Sequence, residues 1–360
     1  MAVPAFDPKE LEVVAELPSR FGFGPPTPIY SYPVAPKDAQ VALYKKEPIW
    51  QIMGVEQKLF VPKVNPDNVA RAFVIDGSGM GFGEGGGKDL FGIEWEYVPQ
   101  AGGSMVRPGK PFLSDANEWY DKVVWPDIDA WDWEESEKVN KEYLDTDSFI
   151  MAWLMNGWYE RLISFMDFEG AIMAMVDEDQ TDAVKAFFDK LSDFYIKLID
   201  KHLLHFPQIG GFSIHDDWGS QKETFFSPAV AEEMIVPYMK KVTDHLHSKG
   251  RYADFHSCGQ LMKQIPNMIA AGWDTWGGQP MNDSQKIYEL YGDKILIGVI
   301  PDPFDPETTS EEDQRAAARA YAEKFCRRDK PSYLNTYGMA MLTPAFREEL
   351  YKCSRLNYSK

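Results

Sequence analysis

The sequence is poor in cysteine, in basic residues and in long apolar runs, and each scarcity excludes a class of protein. Its 360 residues include three cysteines, which are too few for a disulfide framework and fit a reducing compartment. No run of about 18 apolar residues occurs, which excludes a membrane-spanning helix. Acidic residues stand near the start where a signal peptide would carry basic ones, so we expect no export signal and a cytoplasmic location.

The charge balance excludes polyanionic partners. The chain carries 37 Lys and Arg against 56 Asp and Glu, a net charge of −19. A nucleic-acid-binding protein needs a basic stripe to neutralise phosphates, and the sequence contains none. We therefore expect no nucleic acid and no anionic membrane as partner. The sequence indicates nothing about the oligomeric state.

The second half of the chain alternates short apolar strands with helical patterns. The expected strands are 211–215, 252–256, 274–277, 295–300 and 332–336. Two long helices are expected before these strands, over 147–168 and 181–204. Between the strands, the clearest helix has Ser227 as N-cap, Pro228 at its first position and Gly250 at its end. Such alternation requires parallel strands with right-handed crossovers. We therefore predict a (β/α)8 TIM barrel, with an open doubly wound sheet as the alternative.

We predict a single barrel domain over residues 1–360, in which a proline-rich segment, 1–70, forms an irregular N-terminal arm and 71–360 form the barrel. A glycine cluster at 77–87 predicts a mobile loop between two strands, above the active site. It does not match a dinucleotide-binding fingerprint, because an aromatic strand and not a helix follows it.

Polar residues follow the expected strands at their carboxyl ends, where parallel α/β folds place their chemistry. Side chains two residues apart on a strand point to the same side, so His256 and Cys258 lie together. Imidazole and thiolate suit zinc, although a buried cysteine beside a hydrogen-bonded histidine gives the same pattern. Asp216 and Asp217 face different ways, so that one caps a neighbouring element while the other enters the cavity as an acid or base.

Several motifs occur in a characteristic order along the chain: KDLFG at 88–92, WYERL at 158–162, DDWGSQ at 216–221 and HSCG at 256–259. Together they resemble the uroporphyrinogen decarboxylase superfamily, and specifically its cobalamin-dependent methyltransferase branch. The resemblance implies a TIM barrel of the uroporphyrinogen decarboxylase type with a deep cavity at the carboxyl ends of the strands. It also implies a methyl transfer from a small methylated substrate to a cobalamin or other corrinoid supplied by a partner protein.

The resemblance further implies a zinc ion held by His256 and Cys258. The branch has a later cysteine as the third ligand, and the corresponding place here falls at about Tyr337. Glu84, Tyr337 or another oxygen donor therefore has to complete the site, unless the pair serves another purpose.

From these arguments we assign roles to individual residues. The expected catalytic residues are Asp217, His256 and Tyr337, the expected substrate contacts are His215, Asp216, Trp218, Trp276, Gln279 and Thr336, and the expected metal ligands are His256, Cys258 and Glu84. A methoxylated aromatic is the expected methyl donor, since the aromatic side chains among these residues would wall a planar ring. The alternatives are a decarboxylase of an aromatic or tetrapyrrole acid, which the few arginines disfavour, and a non-catalytic barrel that binds a corrinoid or small ligand.

Overall fold

A computed structural model describes residues 4–17, 26–81, 83–99, 103–335 and 342–359. The strands in these ranges are β1 (Val13–Leu17), β2 (Thr27–Tyr30), β3 (Gln57–Phe60), β4 (Gly87–Lys88), β5 (Glu94–Val98), β6 (Gly103–Val106), β7 (Phe149–Leu154), β8 (Ile209–His215), β9 (Tyr252–His256), β10 (Thr275–Trp276), β11 (Leu296–Val299) and β12 (Tyr333–Leu334). The α-helices are α1 (Pro36–Tyr44), α2 (Pro66–Ala70), α3 (Trp119–Lys122), α4 (Trp133–Asn140), α5 (Trp158–Ala174), α6 (Thr181–His205), α7 (Pro228–Met234), α8 (Val236–Ser248), α9 (Ile265–Ala270), α10 (Ser284–Tyr291), α11 (Glu311–Phe325) and α12 (Pro344–Tyr358). None of these helices combines the length and the hydropathy that a bilayer crossing requires.

The chain forms two compact units, of which the larger comprises Leu59–Thr146 and Ile150–Asp274. Its main sheet has the strand order β3, β7, β8, β9, and the pairs β7–β8 and β8–β9 are parallel. Ser192 of α6 links three helices of this unit, since its hydroxyl accepts a hydrogen bond from Trp158 Nε1 (2.9 Å) and lies 3.1 Å from the carbonyl oxygen of Tyr238. A separate antiparallel sheet in this unit has the order β4, β5, β6.

The segment predicted as one helix over 147–168 is instead a strand followed by a helix. Residues Phe149–Leu154 form β7, five of whose six residues are buried, and α5 begins only at Trp158. A strand of a parallel sheet is covered on both faces, so its sequence is continuously apolar and lacks the alternation that identifies a half-exposed strand. The apolar run of β7 is therefore continuous with the helical pattern that follows it.

Proline chemistry accounts for two other differences from expectation. The helix expected from Ser227 to Gly250 is divided into α7 and α8, and Pro237 lies in the first turn of the second helix. The N-terminal segment 1–70, expected to be irregular, contains three strands and two helices in its described part. Pro36 and Pro66 occupy the first positions of those two helices, where a missing N–H group costs no hydrogen bond.

The smaller unit comprises Met1–Lys58, Asp147–Phe149 and Thr275–Lys360. Its strands β10, β11 and β12 are parallel, with β11 in the middle. Helix α12 is tied to the N-terminal segment by a buried ion pair, in which Arg355 Nε lies 2.7 Å from Glu10 Oε2. The grouping of all 360 residues into one barrel domain stays a prediction.

Candidate metal centre and active site

Four side chains converge at the carboxyl ends of β8 and β9. One ligand atom from each of His215, Asp217, His256 and Cys258 lies within 4.8 Å of the others. His215 and His256 are register partners on the two parallel strands. Because Asp217 and Cys258 each follow their histidine by two residues, both point to the same side as that histidine. Strand register thus joins two pairs, His-x-Asp and His-x-Cys, into one group, which we call the HDHC cluster.

Direct contacts hold the cluster together. His215 Nε2 lies 3.1 Å from Asp217 Oδ1, and the same oxygen accepts a hydrogen bond of 2.6 Å from the backbone N–H of Cys258. Cys258 Sγ lies 3.9 Å from His256 Nε2. The Asp217 side chain is 26% exposed, so the cluster is accessible from outside while His215 is buried beneath it. Asp217 therefore connects the ends of both strands.

A second layer of residues sets the orientation of His215. Its Nδ1 lies 3.1 Å from the carbonyl oxygen of Met155, an acceptor that requires a proton on Nδ1. Its Nε2 faces the cluster. Arg71 Nη2 lies 3.2 Å from Nδ1, a contact between two cations that is not a hydrogen bond while Nδ1 is protonated, and Arg71 Nη1 forms an ion pair of 2.8 Å with Glu160. Such outer contacts fix the tautomer and the ring orientation of metal-binding histidines. Sequence reasoning missed Arg71, which no local pattern distinguishes.

The His215 and Asp217 side chains form an ion pair. Burial alone would lower the pKa of His215, but the charge and hydrogen bond of Asp217 outweigh burial and raise that pKa well above its ordinary value. Burial alone would raise the pKa of Asp217, but His215 outweighs it and holds that pKa well below the ordinary range. Asp217 is therefore a carboxylate and His215 an imidazolium near neutral pH.

The other two side chains of the cluster are uncharged near neutral pH. Burial, together with the neighbouring charge of His215, lowers the pKa of His256 to about 4. Burial raises the pKa of the Cys258 thiol, although a hydrogen bond from His215 opposes the rise. His256 thus offers a neutral imidazole, whereas His215 and Cys258 each carry a proton that a metal ion would have to displace.

Asp216, expected to contact substrate, is buried and caps a helix. Its Oδ1 accepts a hydrogen bond from the backbone N–H of Glu160 (2.8 Å), and its Oδ2 accepts one from the indole of Trp218 (2.9 Å). Glu160 lies in the first turn of α5, where unpaired N–H groups favour a carboxylate. Burial raises the pKa of Asp216 to about 7, although these hydrogen bonds oppose the rise. The fully buried carboxylate is turned away from its neighbour Asp217, as strand alternation requires.

Among the described residues, Trp153 lies beside the cluster, whereas the expected substrate contact Trp218 packs in the protein core. Trp218 is fully buried, and its ring packs 5.0 Å from that of Phe255. Trp153 of β7 has its ring centroid 5.0 Å from that of His256. Sequence reasoning missed Trp153 because the apolar run around it predicts a helix. Residues of that run are therefore not expected to be part of a barrel strand.

The remaining expected site residues lie elsewhere. Glu84 is exposed, and its carboxylate accepts a hydrogen bond from the backbone N–H of Gly81 within the glycine-rich loop. The structure does not place it in the HDHC cluster, where Asp217 supplies the oxygen donor instead. Trp276, which is buried, and Gln279 belong to the smaller unit, and Thr336 and Tyr337 lie outside the described residues. The roles of these four residues stay predictions.

The motifs KDLFG and WYERL meet in a buried ion-pair network below α5. Arg161 pairs with Asp67 and, at 2.7 Å, with Asp89, and neither the guanidinium nor the Asp89 side chain is exposed. Asp89 also accepts hydrogen bonds of 2.9 Å from the backbone N–H groups of Phe91 and Ile93. This network fixes the loop 88–93 against α5, the helix that Asp216 caps. The sequence shows both motifs but not their contact.

Gly259 allows the two strand-end loops to approach each other closely. It has φ +98°, and a Cβ atom there would lie 2.3 Å from the carbonyl oxygen of Gly219. We expect Gly259→Ala to separate the loops that carry Asp217 and Cys258. The expected result is a loss of about 3 kcal/mol of unfolding free energy, measured by urea denaturation, and an at least tenfold weaker metal affinity.

Gly250→Ala is the matched control for this substitution. Gly250 has φ +67°, but a Cβ atom there meets only open space, so we expect the loss of about 1 kcal/mol that the left-handed backbone alone imposes. Equal losses of unfolding free energy in the two variants would show that the close approach of the loops at Gly259 contributes nothing to the stability.

Comparison with known proteins identifies the family. A family model described as uroporphyrinogen decarboxylase (URO-D) matches residues 162–343, just over half of the 360 residues. The chain belongs to the URO-D family. The match contains the HDHC cluster and the helices α6 to α8 around it. No protein among the curated sequences matches the chain.

Solved structures agree with the URO-D assignment at the level of the fold. A methyltransferase from Methanosarcina mazei has a TM-score of 0.59 and 16% identity, and the match covers 91% of this chain and all of that one. A D-psicose 3-epimerase matches with a TM-score of 0.31 and 10% identity over 63% of this chain and 83% of the other, a likeness too low to carry an argument. The predicted fold class, a (β/α)8 TIM barrel of the URO-D type, is confirmed.

Proposed function

We propose that this URO-D family member is a methyltransferase that moves a methyl group from a small methylated substrate to a corrinoid carried by a partner protein. The observation that carries the proposal is the HDHC cluster at the carboxyl ends of β8 and β9, where barrel enzymes place their catalytic groups. The fold shared with the Methanosarcina methyltransferase supports it.

The donor set of the cluster fits zinc. Two imidazoles, one carboxylate and one thiolate are all zinc ligands, and their approach to within 4.8 Å of one another suits a small tetrahedral ion. We assign His256, Cys258 and Asp217 as ligands, with His215 as a fourth that either binds or gives its place to substrate. When bound, zinc would act as a Lewis acid toward the oxygen that loses the methyl group.

The protein residues have separate tasks in the proposed reaction. The oxygen–methyl bond breaks with its electron pair left on oxygen, and the methyl group passes to the reduced corrinoid, which supplies the electron pair of the new bond. His215 holds a proton beside this position and is suited to protonate the departing oxygen. Arg71 and Met155 hold the ring of His215 in place. Trp153 offers a flat surface beside His256, which supports a methoxylated aromatic as substrate.

The reaction is tested by a panel of methyl donors. The purified protein is mixed with cob(I)alamin and with methoxybenzoates, methanol, methylamines or methyl thioethers, and formation of methylcobalamin is followed spectroscopically. We expect turnover of methoxybenzoates. Turnover of methylamines alone would refute the aryl-ether substrate, and release of carbon dioxide from aromatic acids without methyl transfer would identify a decarboxylase instead.

Zinc binding is expected to release about one proton near neutral pH when His256, Cys258 and Asp217 are the ligands, and about two protons when His215 binds as the fourth. Both His215 and Cys258 have raised pKa values and are protonated there, whereas Asp217 and His256 have lowered ones and are not. Zinc affinity should therefore rise as the pH rises. Calorimetric titration in buffers of different ionisation enthalpy measures the number of protons released.

The variant Cys258→Ser is the control for the proton count. Because a serine hydroxyl has no thiol proton to lose, this variant should release about one proton fewer than the wild type. An unchanged count in the variant would show that the thiol of Cys258 is not a ligand.

A further inference from the structure

The smaller unit contains a buried arginine that pairs with no acid of the described residues. Arg347 lies in the first turn of α12 and is only 4% exposed. Its Nη1 is completely buried and has no hydrogen-bond partner within the described part of the chain. Burial lowers the pKa of Arg347, although the charge of Glu56 opposes the shift. A buried guanidinium that no carboxylate contacts is unfavourable, so a protein seldom keeps one without a role.

A second buried donor without a partner in the described ranges lies near Arg347. The hydroxyl of Tyr32 is buried and makes no hydrogen bond there, and the Tyr32 ring contacts Tyr351, which follows Arg347 by one turn of α12. The ring of Tyr32 cannot turn freely, because it stacks on Trp50 at 4.8 Å and contacts Tyr351 at 5.5 Å. Burial raises the pKa of Tyr32, so its hydroxyl remains a donor at every physiological pH.

The acid that acts on both groups does not satisfy these donors. Glu56 influences Arg347 and Tyr32 through its charge, but its Oε1 accepts a hydrogen bond of 2.9 Å from the Trp50 indole and its Oε2 one of 3.0 Å from the backbone N–H of Met53. The stretches outside the described ranges contain no aspartate or glutamate in their sequence. No acidic side chain of those stretches is therefore available to pair with Arg347.

We infer that Arg347 and Tyr32 form a binding site for the carboxylate group of a small organic acid. A planar guanidinium matches a carboxylate with two parallel hydrogen bonds, and a phenolic hydroxyl adds a third. The rings of Tyr30, Trp50 and Tyr351 around Tyr32 favour an aromatic acid over an aliphatic one. The inference does not depend on the methyl-transfer proposal, and its failure would leave that proposal untouched.

Thermal unfolding of the full chain with added ligands tests the site. Sodium benzoate, sodium acetate and neutral benzamide are the probes. A ligand that binds only the folded state raises the melting temperature in proportion to the logarithm of its concentration. We expect benzoate to give the largest increase, acetate a smaller one and benzamide none.

Two substitutions locate the binding. Arg347→Met should weaken benzoate binding at least about 100-fold, and Tyr32→Phe about tenfold. Without ligand, Arg347→Met should melt no lower than the wild type, because it replaces a buried charge that no carboxylate contacts by an apolar chain of similar length. Arg319→Met removes an arginine that is paired with Glu312 and Glu349, and it should keep the wild-type response.

Four outcomes would overturn the inference. One is an unchanged benzoate response in Arg347→Met, and another is a wild type whose melting temperature no carboxylate raises. A third is loss of the response in Cys258→Ala, which would place benzoate at the HDHC cluster instead. The fourth outcome applies if Arg347→Met does not fold, and it is a benzoate affinity in Tyr32→Phe equal to that of the wild type.

Discussion

Replacement of His256 or Cys258 by alanine is expected to remove the bound zinc and to reduce methyl transfer by about a thousandfold. Each substitution deletes one of the four ligand atoms that lie within 4.8 Å of one another. The variant would then lack the Lewis acid that stabilises the negative charge on the departing oxygen. Stabilisation of this kind contributes several kcal/mol to lowering the barrier, or about three powers of ten in rate. Elemental analysis of the purified variants and the cob(I)alamin assay measure the two effects.

Cys353→Ala and His247→Ala are the matched controls. Cys353 lies in α12 and His247 in α8, where it contacts Asp274 at 2.9 Å, and neither belongs to the HDHC cluster. Both variants should keep their zinc and their activity. A wild-type protein that contains no stoichiometric metal and stays fully active after chelation would end the zinc hypothesis.

Arg161→Met is expected to destabilise the fold by about 3–5 kcal/mol, the largest stability effect that we predict. The substitution leaves Asp67 and Asp89 buried together without their shared cation. Burial raises the pKa of Asp67 even with Arg161 present, so the Asp67 carboxylate of the variant should take up a proton more readily still. A carboxyl group whose pKa is raised in the folded state lowers the stability only at pH values above its pKa in the unfolded state. The loss of unfolding free energy in Arg161→Met should therefore grow as the pH rises and shrink as the pH falls.

Arg107→Met is the control for the loss of an arginine ion pair. Arg107 pairs with Glu96 at the surface, where its side chain is 71% exposed. Exposed pairs contribute little, so this variant should unfold at the same urea concentration as the wild type. If both variants unfolded at the same urea concentration, the buried network would not be the element that holds the KDLFG loop.

The composition of the cluster favours demethylation of a methyl ether over methylation of a thiol. It contains one cysteine, where the methyltransferase branch that the sequence resembles uses two. Fewer sulfur ligands leave more positive charge on zinc, which strengthens its attraction for a hard substrate oxygen. We therefore expect the protein to act on the donor side of the methyl-transfer pathway.

Alternation along a strand is sufficient to pair His256 with Cys258 from the sequence, because a period of two is a local property. The same rule applied to His215 and Asp217 gives an equivalent pair, but nothing in the sequence joins the two pairs. Only the register of β8 with β9 does so, since it places His215 opposite His256. Without that register the sequence favours Glu84 as the oxygen donor, a residue that is exposed and lies outside the cluster.

The fold class, the family and one half of the HDHC cluster were determined by the sequence, because the order of the motifs and the alternation of strands and helices are local properties of the chain. Long-range packing decided the rest. Asp216 became a helix cap because α5 begins beside it, and Trp153 became the aromatic neighbour of His256 because its segment is a buried strand. Arg71 reaches His215 from 144 positions away, a contact that tertiary structure alone creates. Residues of this kind have no local signal, since their partners are distant in sequence.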